Sequence, residues 1–365
     1  MPNADSPRPQ SSLSEDEWLA FIGRAFSPEY RQAAEQYVTR LCRASLPVVF
    51  DSGHLAQIVG LSDSTIRSMV AAQQKFYREF SIPKRRGGER TIQAPYPSIL
   101  YVQRWINKAI LRQIPVHESA HGFLRNRSVV SNAAPHIGQE CVLKLDIKDF
   151  FPTIKLRRVI AVFLRAGYSA EVSYDLARIC TLDGCLPQGA ATSPAIANIV
   201  AAQLDCRLSG LAAKFSLRYT RYADDLTFSG RAVSVGLSRI VQRLVEAEGF
   251  LVNVEKTLLM RSSCKKIVTG ISVSGSSAKV PREFRRTLRN EVFQVVRRGL
   301  EAHKEALDIR DPQYLQRLIG KVAYWRMVEP DSAAARAYLE QLLELQRNLA
   351  ASVGRNDLTG QLSVD

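Results

Sequence analysis

The sequence predicts an α+β protein, and three observations carry that expectation. Runs of β-branched and aromatic residues flank the acidic pair in Arg221-Tyr222-Ala223-Asp224-Asp225-Leu226-Thr227-Phe228, as in a hairpin with two anions at its tip. Val142 to Leu145 is apolar apart from Lys144, as a buried strand is. Residues 281–350 are helical in pattern, with Phe284, Leu288, Val292 and Val295 on one stripe. At 365 residues the chain can bury a full core and hold two or three subdomains.

In chain order, residues 1–12 are polar and Pro-bearing and are expected to be disordered. Ser14-Glu15-Asp16-Glu17 has the pattern of a capping box. It opens a helix that carries Trp18, Phe21 and Ile22 on one face and reaches toward Cys42. Residues 54–70 have the shape of a helix-turn-helix: an apolar helix, a turn at Gly60 and a Ser-capped second helix. A groove reader needs exposed base-contacting side chains on the second helix, and Arg67 is the one obvious candidate, so plain helical packing is expected. Residues 80–92 predict a hairpin turning at Gly87-Gly88, with cations that hang over a site if it folds across one; the alternative is a solvated basic loop.

His117-Glu118-Ser119-Ala120-His121 is a literal His-Glu-x-x-His, which on a helix would hold zinc. Pro115 before it and Gly122 after it leave no long helix, so a loop is expected. Ser193-Pro194 opens a helix with Ser193 as the cap and Pro194 in the first turn. The positive end of that helix would face phosphates. Gly189, in the preceding loop, would let the backbone approach a substrate closely. Arg282, Arg285, Arg286 and Arg289 crowd one face of the helix after Pro281, fit either to lie along a phosphate backbone or to be solvated. Residues 351–365 are polar and expected to fray.

The formal charge is +15 and the isoelectric point near 9.7. That balance points to a polyanionic partner, whose counterions are released on association. No segment approaches 18 uninterrupted apolar residues, which argues against a membrane span. Residues 1–12 lack the apolar core of a signal peptide, so a cytoplasmic location is expected. The six cysteines are scattered, with no Cys-x-x-Cys pair, and read as small buried or partly buried residues.

The chemistry lies in the carboxylates. Asp224 and Asp225 alone could be a solvated turn. Asp146 falls where the 142–145 strand should end, and beside the hairpin it would bring a third carboxylate to the same place. Three carboxylates suit hard Mg²⁺, which keeps waters and accepts substrate phosphates. Two such ions roughly 3.5–4 Å apart clamp the attacking and leaving oxygens of an in-line phosphoryl transfer. An acidic surface cluster is the alternative.

These residues resemble the palm of a reverse transcriptase. Tyr222-Ala223-Asp224-Asp225 resembles that family's metal-binding turn, and Leu145-Asp146-Ile147-Lys148-Asp149-Phe150-Phe151 its first catalytic strand. Residues 186–194 resemble its nucleotide loop and helix, and residues 249–257 its downstream motif with an active-site lysine. Gly122-Phe123-Leu124-Arg125 resembles its template contact. The four polymerase boxes occur in the family's order, and the resemblance covers roughly residues 50–350. Within the family, Asn132-Ala133-Ala134-Pro135-His136 and Val268-Thr269-Gly270 resemble two boxes of retron enzymes. A group II intron or other bacterial reverse transcriptase is the alternative reading.

The resemblance implies a right-hand polymerase: an extension over 1–50, fingers over 51–140, a palm with an antiparallel sheet over 141–280, a helical thumb over 281–350 and a tail. It implies two Mg²⁺ on Asp146, Asp224 and Asp225, with Mn²⁺ as a substitute. It implies Lys84 and Arg90 on the triphosphate of a dNTP, and Gln188 and Gly189 near the sugar. Phe151 takes the place of a steric gate against the 2′-hydroxyl, and Lys256 that of a proton donor to pyrophosphate. For a retron it further implies a cognate structured noncoding RNA as template and 2′-OH primer, and a branched RNA-linked DNA. It also implies an effector protein in anti-phage defence. Asn132, His136, Val268, Thr269, Gly270 and the four thumb arginines are the candidates for RNA contact, and local support is the alternative for the first five. Other readings are a nucleic-acid-binding scaffold without catalysis, which the intact carboxylates oppose, and an RNA-templated RNA polymerase, which Phe151 opposes.

Overall fold

The computed structural model describes residues 13–83 and 87–359, with side chains given as far as residue 350. Residues 1–12, Lys84 and the end of the tail lie outside that range. Eight strands are present among the described residues: β1 (Tyr77–Pro83), β2 (Glu89–Pro95), β3 (Cys141–Lys148), β4 (Arg218–Tyr222), β5 (Asp225–Gly230), β6 (Leu251–Met260), β7 (Ile267–Val268) and β8 (Ile271–Ser272). The central sheet has the order β4-β5-β3-β6, with every neighbour antiparallel.

Strand β3 explains how the sheet divides the molecule. Successive side chains of a strand point to opposite faces. Leu143, Leu145 and Ile147 enter a large core built with the helices Leu156–Ala166, Ala170–Cys180 and Ser193–Lys214. Lys144, Asp146 and Lys148 therefore share the other face. The strand runs past its expected end at Asp146 because β6 goes on pairing with it, Ile147 opposite Val252 and Lys148 opposite Leu251. A second core unites Leu288, Val292 and Val295 with Leu318, Val322, Trp325 and Leu342 of the later helices, and Val142 and Met260 of the sheet belong to it. The final helix, Ala333–Thr359, continues beyond the expected boundary at 350.

The capping box at Ser14 is formed, but the expected helix toward Cys42 is two helices, Glu15–Ala25 and Pro28–Arg43. Pro28 excludes its predecessor from helical geometry, and Ser27 is extended at φ −64° and ψ 153°. The helix-turn-helix shape is real: Ser52–Val59 ends on left-handed Gly60, and Ser62 caps Asp63–Ala71. Its Leu55, Val59, Ile66 and Met69 are buried in the large core, and Arg67 pairs with Asp63 at 2.6 Å. It is a packing unit here. Strands β1 and β2 form the expected hairpin, with Gly87 and Gly88 both at positive φ. Ser193 does not cap the helix Ser193–Lys214: Thr192 holds the N-cap position without a side-chain cap hydrogen bond, and the Ser193 hydroxyl donates to the Pro187 carbonyl at 2.8 Å. All six cysteines are free, and Cys206 and Cys264 are exposed where burial was expected.

Candidate active site

Antiparallel pairing of β3 with β5 sets Asp146 directly opposite Asp225. Pairing of Tyr222 with Asp225 leaves Ala223 and Asp224 as a two-residue turn, with Ala223 left-handed at φ 57°. The Asp224 carbonyl accepts from Ile147 N at 2.9 Å, which ties the turn to β3. Gly122 lies against this turn so closely that a Cβ there would stand 2.6 Å from Ala223 N. The three carboxylates are thus neighbours, as expected, and they repel one another. Burial, then Asp225 and Asp146, push the Asp224 carboxyl up to about 6. Burial also raises Asp225, and Lys144 at 4.0 Å relieves part of that.

Lys256 is not poised over an open space. Its Nζ donates to both oxygens of Asp146, at 2.8 and 3.0 Å. Among the described residues no three acidic, His or Cys side chains form a ready-made ligand set. The arrangement is three carboxylates balanced by two lysines. Its donors are all carboxylate oxygens, which fits a hard divalent cation rather than zinc or copper.

The residues expected on the nucleotide side are Phe151 and the 186–192 loop. Phe151 lies in the short helix Phe150–Thr153, half-buried, with its ring centroid 6.1 Å from that of Phe123 and 5.7 Å from that of Phe150. Phe123 is half exposed and left-handed at φ 65°. The Gln188 carbonyl accepts from Gln93 N at 2.8 Å. Gly189, at φ 140°, comes so near β2 that a Cβ would stand 2.5 Å from the Gln93 carbonyl oxygen. The close approach expected toward a substrate is thus made to the β1–β2 hairpin. Arg90 is exposed on the same strand, opposite Ile82.

The His-Glu-x-x-His segment is a loop, as expected. Both ring nitrogens of His121 are engaged, with Ser131 Oγ at 2.9 Å and Arg127 at 3.3 Å. The segment lies along β4: Arg221 N donates to Ser119 O and His121 N to Arg221 O, each at 2.7 Å.

Residues 82–279 match the family model for reverse transcriptase (RNA-dependent DNA polymerase). The retron Mx162 reverse transcriptase of Myxococcus xanthus is 37% identical, over 82% of this chain and 67% of its own. The retron Ec86 reverse transcriptase of Escherichia coli is 32% identical, over 70% of this chain and 81% of its own. The chain belongs to the retron reverse transcriptases. Among solved structures, a telomerase from Candida albicans in complex with a fragment of telomeric RNA aligns with a TM-score of 0.43 at 12% identity, over 74% of this chain and 63% of that one. This retron reverse transcriptase is an RNA-directed DNA polymerase of right-hand architecture. Its antiparallel β4-β5-β3-β6 sheet is the sheet expected of the palm, and the β1–β2 hairpin and the helices after Pro281 fall in the spans expected for fingers and thumb. No described helix is long and apolar enough to cross a membrane.

Among the residues expected to touch RNA in the retron enzyme, Asn132, His136 and Val268 do not qualify, because all three are fully buried. His136 instead bridges β5 and β4, with Nδ1 2.6 Å from Ser229 Oγ and Nε2 2.8 Å from Thr220 Oγ1. Asn132 Nδ2 donates to Thr269 Oγ1 at 3.4 Å, bracing the turn between β7 and β8. At that turn Thr269 is half-buried and Gly270 exposed, both at positive φ. Arg282, Arg286 and Arg289 are exposed on the thumb helix Arg282–Arg298, whereas Arg285 is partly covered, 3.7 Å from Glu329.

Sequence reasoning passed over two cations. Lys144 was visible as the single charge in an apolar run. Arg221 opens the acidic box, yet nothing local reveals that its guanidinium is buried against Asp205 at 2.6 Å.

Proposed function

We propose that this retron reverse transcriptase copies a cognate structured noncoding RNA into single-stranded DNA in the cytoplasm. It starts from the 2′-hydroxyl of an internal guanosine, so that the product is a branched RNA-linked DNA, and acts with an effector protein in anti-phage defence. The observation that carries the catalytic part is the register that sets Asp146 opposite Asp225, beside Asp224 in the turn. Asp146, Asp224 and Asp225 would hold two Mg²⁺, or Mn²⁺ in their place. When bound, these ions lower the pKa of the primer hydroxyl and steady the triphosphate.

The protein's own residues position and neutralise, since phosphoryl transfer leaves little covalent work to the enzyme. Arg90 and Lys84 hold the triphosphate from the fingers. Gln188 and Gly189 keep the nucleotide loop against β2, beside the sugar. Phe151 closes the space a 2′-hydroxyl would need. Lys256, released from Asp146, donates a proton to the leaving pyrophosphate. Arg282, Arg286 and Arg289, with the turn at Thr269 and Gly270, follow the phosphate backbone.

The test is to purify the protein from its host, extract the nucleic acid that accompanies it, and treat that with RNase. An Asp224→Ala, Asp225→Ala variant serves as control. The expected result is a discrete short DNA whose mobility changes with a 2′,5′-debranching enzyme and which the control lacks. Carboxylate-dependent DNA without a branch would overturn the priming step and keep the polymerase. Absence of DNA from both samples would overturn the proposal.

A further inference from the structure

A buried polar network lies directly beneath the catalytic turn, and the chemistry above does not use it. The side chains of Arg221 on β4 and Asp205 on the helix Ser193–Lys214 are both entirely hidden from solvent. Asp205 Oδ1 accepts from Arg221 Nε and from the Tyr219 hydroxyl, each at 2.8 Å, and Oδ2 accepts from Arg221 Nη2 at 2.6 Å. Arg221 Nη1 donates in two further directions, to Asn198 Oδ1 at 2.9 Å and to the Ala223 carbonyl at 3.1 Å. Asn198 Nδ2 donates in turn to the Gly122 carbonyl at 2.8 Å.

Stability alone gives little reason for such a pair. Stripping two charges of water is costly, and apolar side chains of similar volume often replace a buried ion pair with no loss of stability. What an apolar pair cannot do is donate to a chosen carbonyl in a chosen direction. Arginine's planar fork suits it to hold several acceptors at once. Here one acceptor is in the turn that carries Asp224. Another, through Asn198, is Gly122, which backs onto Ala223 N and precedes Phe123 beside Phe151. The helix that supplies Asn198 and Asp205 begins where the nucleotide loop ends.

We infer that Arg221, with Asp205 and Asn198, is a positioning device that fixes the carboxylate turn relative to the nucleotide-side helix and the 119–123 segment. Arg221 acts through the Ala223 carbonyl and touches no substrate. The inference rests on the reading of Asp224 and Asp225 as metal ligands.

The test compares the full-length protein with Arg221→Met/Asp205→Leu, Arg221→Lys and Asp224→Ala/Asp225→Ala. Three readouts are taken: thermal melting, Mn²⁺ binding followed by electron paramagnetic resonance without nucleic acid, and the Mg²⁺ dependence of primer extension. The apolar pair leaves the Tyr219 hydroxyl and Asn198 Oδ1 without these partners, so it should melt below the parent, and the folded variant should bind Mn²⁺ about 10-fold more weakly. Its kcat should fall on the order of 100-fold with KM for template–primer unchanged, as expected for a reacting group displaced by about 1 Å. Arg221→Lys keeps the charge but cannot span Asp205, Asn198 and Ala223 together, so it should show the same weakening even if the apolar pair fails to fold. Parental Mn²⁺ affinity and kcat in Arg221→Lys, or in a folded apolar pair, would overturn the inference and make the network merely structural. Undiminished Mn²⁺ binding in Asp224→Ala/Asp225→Ala would overturn the metal reading itself, a separate failure.

Discussion

A phenyl ring at position 151 is propped by Phe150 and faces Phe123, and on the proposed reading it limits the room beside a bound sugar. Trimming it to a methyl should admit the 2′-hydroxyl. Phe151→Ala is expected to lower the preference for dNTP over rNTP on the order of 10- to 100-fold, the range over which packing against small groups discriminates. Single-nucleotide incorporation, compared as kcat/KM for dGTP and GTP, measures it; an unchanged ratio removes Phe151 from this role. Residues of this kind are legible in sequence because their chemistry is rare and their spacing local. Asp224, Asp225 and Asp146 stand out for that reason. Asn132 and His136 misled for the converse reason, since a polar side chain that braces a sheet and one that grips RNA look alike until burial is known. Lys144 beside Asp225, and Asp205 under Arg221, depend on distant chain packing that no local pattern encodes.

The palm hairpin owes part of its cohesion to one imidazole. His136 is hydrogen-bonded at both nitrogens between β4 and β5, and burial holds its pKa down at about 3. An unfolded histidine takes up its proton near pH 6.5. Between those values the unfolded chain binds more protons than the folded one, so stability falls as pH drops below about 6.5. At pH 5 the loss from this group alone should be about 2 kcal/mol. His121, lowered to about 4 by burial and then Arg127, adds in the same sense. Urea denaturation at pH 7 and pH 5 measures the loss, and His136→Gln should narrow the gap between the two curves by about 2 kcal/mol, leaving the share of His121; an equal gap in that variant would place the proton elsewhere. Element boundaries were readable where glycine or a cap announces them, as at Gly60 and Ser14. The break at Phe26-Ser27 was missed because the apolar face runs on through it, although Pro28 marks the start of a new helix. Gly189 was recognised as a place of close approach, but its neighbour is a strand about a hundred residues earlier in the chain, and only the packed molecule reveals that.

For the whole molecule, a formal charge of +15 means that binding to nucleic acid is coupled to salt. The exposed arginines of the thumb should contribute a measurable share. Changing Arg282, Arg286 and Arg289 together to Ala is expected to lower the slope of log K against log salt by about 2 to 3 for an RNA–DNA hybrid, near one for each phosphate that is no longer neutralised. Fluorescence anisotropy at several salt concentrations gives the slope, and the parental value would mean that this face meets only water. Arg285 is left out because Glu329 already engages it. The order of the polymerase boxes made the architecture legible, whereas its division into two cores was not, since both draw on the same short strands. Val142 and Met260 turn toward the thumb, while Leu143 and Leu259, their neighbours in sequence, turn toward the palm helices. The two interiors share a wall and no furniture. Val142 and Asp146 lie on one face of β3, so a shift on the thumb side is felt along the strand that bears the carboxylate, and Leu143, Leu145 and Ile147 brace that strand from behind against the palm helices.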